Sequence, residues 1–530
     1  MRPRTAGRRR PAILTAQLLA AGSLTVLAAG TLMTASRLRQ PVVAPPAAPE
    51  PLPEPLVPPT SAPVTAAPTP SPTPTLHPLV DRSSVGEPWG TVAGVLQFRG
   101  NPTRTWYGLG PVPSSPQVRW RYPDAPMCTD EAIGSRAGTA DPPVKRWCGT
   151  GWTGQPAVWE RPDGVVEVVV GAYDGAVHFI SATSGRALRP PFATGHIIKG
   201  SVTLDPDGFP LLYTGSRDGY LRVVALDRDR PTEVWALPAN RNRIWNDDWD
   251  GNPTIVDGLL FTGGEDGWFY VIDLKRGYDA AGRVTVDPTV VVELPGWDQQ
   301  LLRAVGDRNV SFESSVALIE GHAFVANSAG RVIGYDLSRV RNGHAPVVFE
   351  YWTGDDTDAT IVIDRDGMLY VASELERRTA RGRQVGQLVK LDPNRPGDPR
   401  VWGLDVPARA GAPADEPGGI WGTPALHDGV LYVTTHAGDL LAVDAGDGQV
   451  VWRQTIGYHE WSSPVVVDDT LIVGACQHAG LLAFDVRDPR RPRPRWSVQL
   501  GGCVESTPAV WRGGIYVGSR DGFVYAVGDR

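Results

Sequence analysis

Cysteine, lysine and methionine each occur only four times in 530 residues. The cysteines Cys128, Cys148, Cys476 and Cys503 form no CxxC and no adjacent pair, and no histidine pair accompanies them. That pattern excludes zinc-ribbon and thioredoxin-like chemistry and leaves disulfides as the reading. The lysines Lys145, Lys199, Lys275 and Lys390 stand against 47 arginines, a bias of base composition rather than a functional signal. No nucleophile elbow, P-loop or dinucleotide fingerprint is present, and the nine histidines fall in no catalytic arrangement. Acid is missing from residues 1–40, which hold seven arginines, so the remainder carries −14 against −7 for the whole chain. An acidic body of that kind excludes nucleic acid as a partner, because phosphate binding needs clustered Lys and Arg.

What the chain has in quantity is glycine, proline and short apolar runs. Residues 423–452 show the pattern most clearly: four runs of β-formers separated by Asp-Gly and Ala-Gly turns. Such runs are strands joined by tight hairpins. A lone four-stranded meander has two open edges and no way to bury its faces. The chain supplies copies. First strands fall near Pro156, Val202, Pro253, Ser315, Thr360, Pro424, Pro464 and Pro508. Their spacing of roughly 40–65 residues is that of propeller blades with loop insertions. The fifth copy, split by residues 374–387, is the weakest, which leaves seven or eight blades open. A tryptophan marks the last strand at Trp235, Trp352, Trp402, Trp452 and Trp496. The eighth copy has only three strands, and a spare Trp-bearing strand at 117–123 completes it and closes the ring. The expected fold is all-β: an eight-bladed β-propeller of four-stranded antiparallel blades over residues 89–530.

The repeat, typified by the segments TPALHDGVLYVTTHAGDLLAVD and STPAVWRGGIYVGSRDGFVYAVGD, resembles the pyrroloquinoline-quinone-type propeller repeat. That family unites quinoprotein dehydrogenases with non-catalytic outer-membrane assembly propellers. The resemblance implies a propeller and leaves activity open. A quinoprotein dehydrogenase would be expected to show calcium ligands, a catalytic Asp, an adjacent Cys-Cys pair and a Lys-Glu in its tryptophan-docking repeats. Here the corresponding positions are Gln449 and Val450, and the cysteine pair is absent. The resemblance therefore points to a non-catalytic binding or scaffold module with no cofactor. The alternative is a divergent dehydrogenase using the quinone with Ca²⁺.

Residues 1–36 pair a basic start with an apolar run from 12 to 35, which reads as a signal anchor or a cleaved signal peptide. The positive-inside rule puts the propeller on the extracytoplasmic side of the cell membrane, or outside the cell if the signal is cleaved. Residues 37–88 form a proline-rich stalk, with fifteen prolines between 40 and 79. At roughly 3.1 Å per residue it reaches about 100 Å. Four cysteines allow three pairings. Cys128–Cys148 would close the irregular excursion 125–151, and Cys476–Cys503 would tie blade seven to the loop before blade eight.

In a propeller the inter-blade loops open on the same face as the turns between second and third strands. Those loops hold Trp152; Arg243, Trp245, Asp247, Asp248 and Trp249; Arg303; Asp356; Trp421; His459 and Trp461; and Glu505. Aromatic platforms among carboxylates, amides and Arg suit a polar ligand such as a glycan. The competing reading is structural: tryptophans that plug gaps between blades and polar groups that solvate the mouth. Residues 245–250, WNDDWD, are read as a solvated acidic loop rather than a cation site, and no metal is assigned. The expected partner is a cell-envelope protein or glycan, with the membrane engaged through the N-terminal helix and the propeller a monomer.

Overall fold

The structure, a computed structural model, describes residues 79–132, 144–152, 154–413 and 415–530. The expected anchor, and the stalk as far as residue 78, lie outside the described residues. Among the described residues no helix is long and apolar enough to cross a membrane.

Eight antiparallel sheets follow one another in chain order and form a propeller. Blade 6 is built from Ala425–His427, Val430–Thr434, Asp439–Asp444 and Val450–Thr455. The blades begin at Ala157, Thr203, Thr254, Ala317, Val362, Ala425, Val465 and Ala509. Blade 5 is complete, its insertion lying between its second and third strands (Leu369–Ala372 and Leu388–Leu391). Blade 8 takes Ala509–Trp511, Gly514–Gly518 and Val524–Gly528 from the end of the chain and Gln117–Tyr122 as its outer strand. The ring is closed as the spare strand indicated. Both expected disulfides, Cys128–Cys148 and Cys476–Cys503, are formed.

Burial explains the sequence pattern. A blade packs on both faces against its neighbours, so second strands such as Leu211–Gly215 and Leu259–Gly263 are buried at every position. Continuous apolar runs result, not alternation. Outer strands, such as Thr232–Pro238, are half-exposed. The core therefore lies between blades, as where Phe269 of blade 3 stacks on Tyr335 of blade 4 at 4.3 Å.

A bulge sits in the ladder between third and outer strands of blades 2–8. In five of them a tryptophan follows it directly: Trp235, Trp402, Trp452, Trp496 and Trp120. The bulge tightens the local twist and re-aims that side chain at the next blade. Trp402 of blade 5 donates its indole N–H to Ala445 O of blade 6 at 3.1 Å, and Trp120 of blade 8 donates to Ala182 O beside blade 1 at 2.9 Å. Trp352 is out of this register. In blade 4 Phe349 pairs with Gly334 next to the bulge, and Trp352 lies at the strand end opposite Arg331.

The residue just before each first strand's Pro or its equivalent forms a collar around the channel: Gln155, Ser201, Asn252, Ser315, Thr360, Thr423, Ser463 and Thr507, all buried. Each of five backbone N–H groups donates to the next blade's collar side chain. Gln155 donates to Ser201 at 2.8 Å, Asn252 to Ser315, Ser315 to Thr360 and Thr360 to Thr423 at 3.0 Å, and Thr423 to Ser463 at 2.9 Å.

Residues 94–109 fill the channel and touch every blade. Gly94–Val95 pairs with the first strand of blade 1, and Gly108–Leu109 runs parallel to that of blade 8. Leu96 O, Pro102 O and Thr103 O accept from Leu204, Leu318 and Ile363 of blades 2, 4 and 5 at 2.8, 3.0 and 3.1 Å. The two amide collar residues grip this segment: Asn252 Oδ1 accepts from Phe98 N at 3.1 Å and Gln155 Oε1 from Arg99 N at 2.7 Å. The Tyr107 hydroxyl accepts from Leu426 N of blade 6 at 2.7 Å. Arg99, fully buried, donates to Pro424 O and Pro464 O of blades 6 and 7 at 2.7 and 2.8 Å. Arg104, equally buried, donates to Phe98 O and Val316 O at 2.7 and 2.5 Å. Carbonyl dipoles from several blades thus hold two guanidinium groups inside the ring.

Candidate functional site

The chain runs extended into each collar residue, so side chains alternate. In blades 2, 3, 4 and 8 the residue three before the collar is a wedge between blades. Ile198, Trp249, Phe312 and Val504 occupy this place, each against a second-strand glycine of the preceding blade; a Cβ on Gly171, Gly215, Gly263 or Gly474 would meet them at 2.3–2.5 Å. The residues two and four before the collar point the other way, at the channel mouth. Two before, blades 2 to 8 present Lys199, Asp250, Glu313, Asp358, Trp421, Trp461 and Glu505 in turn. The mouth is thereby divided into an acidic side and an aromatic side.

On the acidic side, Lys199 Nζ pairs with Asp250, lies 2.9 Å from Glu265 and 3.7 Å from Asp248. Arg217 reaches Asp248 at 3.2 Å, and Asn246 Nδ2 donates to Glu265 Oε2 at 2.8 Å. Burial works against the Lys199 charge, but Asp250 and Glu265 outweigh it and hold the ammonium well above its usual range. Burial, reinforced by Glu265, pushes Asp248 up to about 8 and, against the pull of Lys199, Asp250 up to about 7. Further round, Asp356, Asp358 and Glu374 are buried, with Glu313 half-buried beside them. Arg377 reaches Asp356 at 3.3 Å, and Ser328 donates to Asp358 at 2.9 Å. Burial, with repulsion from neighbouring carboxylates, raises all four, Asp356 to about 7.

On the aromatic side, Trp421 and Trp461 stack at 5.5 Å with planes 13° apart. Trp152 stands edge-on to Trp461 at 5.9 Å, and the His459 ring lies 3.9 Å from it. Trp461 Nε1 donates to His436 Nδ1 at 2.9 Å, which orients both rings. Burial, then the neighbouring His459, lower His436 to about 4, so this imidazole is neutral at physiological pH. Glu505 lies 3.9 Å from His459 and 3.7 Å from Arg520. Trp152, His459 and Trp461 are partly exposed and Trp421 is buried behind them.

The structure thus brings together Trp152, Trp421, His459, Trp461 and Glu505 on one side, and Asp248 and Asp356 on the other. Trp249 is a wedge, 1% exposed and 5.2 Å from Tyr270, and does not face the mouth. The acidic loop expected to be solvated is not: Asp248 and Asp250 are 3% and 1% exposed, because Lys199 draws them inward. Arg243 and Asp247 pair with each other at 3.0 Å near the surface, and Trp245 is half-buried. Arg303 is exposed on the short helix Gln299–Val305. The reading of the sequence passed over Glu265, Glu313 and Glu374. Glu265 and Glu374 follow second strands rather than preceding first strands, and Glu313 stands in an otherwise unremarkable loop. Counting back two positions from each collar residue would have found Glu313.

Residues 385–529 match the family model described as outer membrane protein assembly factor BamB. Over those residues the chain carries the pyrroloquinoline-quinone-like propeller repeat. The match spans the last two strands of blade 5 and most of blades 6 to 8. No curated protein matches the chain. Among solved structures, the quinohemoprotein alcohol dehydrogenase ADHIIG from Pseudomonas putida HK5 is 12% identical over 82% of this chain and 80% of its own, with a TM-score of 0.54. Sqt1 from Saccharomyces cerevisiae is 10% identical over 68% of this chain and 92% of its own, with a TM-score of 0.50. BamB from Moraxella catarrhalis is 14% identical over 60% of this chain and 94% of its own, at a TM-score of 0.38. At these identities the first two likenesses show the fold alone, and the third is too low to carry weight.

Proposed function

We propose that this propeller is a non-catalytic binding module, held on the extracytoplasmic side of the cell membrane, whose channel mouth takes a glycan of the cell envelope. The observation that carries the reading is the aromatic wall of Trp152, Trp461 and His459, backed by the buried Trp421, on the same mouth as a set of carboxylates. Aromatic faces pack on the C–H surface of a sugar ring, and carboxylates accept from its hydroxyls. Neutral His436 orients Trp461 without adding charge. Extracytoplasmic placement is supported by the basic and apolar start of the chain and by the disulfides.

We infer that the quinone that names the repeat is not the ligand of this mouth. That cofactor is a tricarboxylate, and the acidic half of the mouth already presents Asp248, Asp250, Glu265, Glu313, Asp356, Asp358 and Glu374 against Lys199, Arg217 and Arg377. With these carboxyls ionised and no cation among them, a planar trianion there would meet like charge in a poorly screened place.

The test is titration of the full chain with soluble cell-wall oligosaccharides, followed by tryptophan fluorescence. Saturable quenching is expected, with Trp461→Ala weakening it about tenfold or more. No saturable change sinks the glycan reading, and recovery of one fixed protein by crosslinking in intact cells would replace it with a scaffold. A bound chromophore and dye reduction after incubation with the quinone and Ca²⁺ would reinstate the dehydrogenase.

A further inference from the structure

Blades 3 and 5 carry the same carboxylate cage at equivalent positions. In blade 3 it is Asp248 and Asp250, four and two residues before Asn252, with Glu265 two residues past the second strand Leu259–Gly263. In blade 5 it is Asp356 and Asp358, four and two residues before Thr360, with Glu374 two residues past the second strand Leu369–Ala372. Each cage is met by the residue two before the collar of the preceding blade. For blade 3 that residue is Lys199, whose ammonium lies among the three carboxylates. For blade 5 it is Glu313, a fourth carboxylate.

The blade 5 cage has oxygens without partners. Glu374 is 2% exposed and its Oε1 has no hydrogen-bond partner, nor has Asp356 Oδ1. Ligand oxygens of Asp356, Glu374 and the exposed Glu376 all lie within 4.8 Å of one another. Arg377 and Asn309 both reach the other Asp356 oxygen, at 3.3 and 3.5 Å, and Arg377 also pairs with Asp307 at 2.8 Å, so its charge is shared outward. An unpaired buried carboxylate is costly, and a cluster of them more so.

We propose that a divalent cation of the calcium type occupies the blade 5 cage, in the place that Lys199 Nζ takes in blade 3. The donors Asp356, Glu374 and Glu376, with Asp358 and Glu313 adjoining, are all hard oxygens, which select Ca²⁺ over Zn²⁺ or Cu²⁺. Three carboxylate oxygens this close together leave each within reach of one central ion at the about 2.3–2.6 Å typical of Ca²⁺–O bonds. The ion would fix the insertion of blade 5 to its inter-blade loop, where Glu374 N already donates to Asp356 O at 2.8 Å. The site stands whether or not the mouth binds a glycan.

The experiment is calorimetric titration of the chelator-treated full chain with CaCl₂, with thermal unfolding measured alongside. One Ca²⁺ per chain is expected, with a dissociation constant between about 1 μM and 1 mM. Saturation should raise Tm by about 2 °C or more. Glu374→Gln should weaken binding about tenfold or more, whereas Glu265→Gln, in the lysine-filled cage, should change it less than about threefold. If Glu374→Gln does not fold, Glu313→Gln replaces it. Failure of the wild-type chain to bind Ca²⁺, Mg²⁺ or Mn²⁺ saturably overturns the proposal, as does binding that the blade 5 variants leave unchanged.

Discussion

Replacing Lys199 with Met tests the electrostatics of the mouth directly. The side chain keeps nearly the same length and volume, so packing beside Trp152 is preserved while the charge is lost. When all are ionised, Asp248, Asp250 and Glu265 are balanced by Lys199 and Arg217 to leave one net negative charge in a buried set. Lys199→Met leaves two. Removing one member of a buried ion pair costs about 3–5 kcal/mol. The cost must depend on pH, because protons can replace the missing charge. Asp250 and Asp248 sit at about 7 and about 8 in the folded protein, above their unfolded value of about 3.9. A carboxyl whose folded pKa is raised binds protons more tightly when folded. Its contribution is fully present below about pH 4 and is lost as pH rises through about 7–8. The variant raises both groups further and steepens that loss. We expect Lys199→Met to cost about 4 kcal/mol at pH 8 and about 1–2 kcal/mol at pH 5, since each unit of relief is about 1.4 kcal/mol. Guanidinium unfolding followed by tryptophan fluorescence at several pH values measures it, with Lys199→Arg as the charge-conserving control. A penalty below about 1 kcal/mol, or one flat across this range, would refute the reasoning.

Two further outcomes concern the scaffold. Thr360→Val keeps the side-chain shape but leaves the Ser315 N–H without its acceptor, and should cost about 1–3 kcal/mol in equilibrium unfolding, against less than about 1 for Thr360→Ser; equal costs would mean the collar hydroxyls do not hold adjacent blades together. Gly448→Ala puts a Cβ on a backbone with φ +77° and 2.6 Å from the Trp402 ring, so a loss of about 2–4 kcal/mol and a shifted Trp402 emission are expected, and a change under about 0.5 kcal/mol would show that the indole does not need that turn.

The blades were legible because five of the eight first strands follow directly on a proline (Pro156, Pro253, Pro424, Pro464 and Pro508) and most hairpins carry Asp-Gly or Ala-Gly. Ring closure was legible because a strand with a tryptophan had no other partner. The mouth was only half legible. Outside blade 1, where Trp152 lies three before Gln155 and still faces the mouth, a single residue of offset decides whether a loop side chain faces the channel or wedges between blades. Trp249 and Trp421 look alike in sequence, yet Trp249 lies three residues before its collar residue and Trp421 two. The burial of Asp248 and Asp250 was hidden because their counter-ion, Lys199, is supplied by the preceding blade some fifty positions away. Nothing in the composition of residues 94–109 marks them as the filling of the channel. Their backbone groups pair with blades 1 to 5 and 8, and such pairing leaves no side-chain pattern; only blades 6 and 7 are reached by side chains, those of Arg99 and Tyr107.

That filling has a consequence for how the molecule comes into being. Residues 94–122 are synthesised first, yet their partners include blade 8, whose strands end at Gly528. Until the final blade has been made, neither the outer strand Gln117–Tyr122 nor Gly108–Leu109 has a ladder to join. The head of the domain therefore waits for its tail. Long-range closure of this kind is slow and comes late. The seven earlier blades and most of the plug's contacts can form in order, but the ring cannot seal its edge before blade 8 exists.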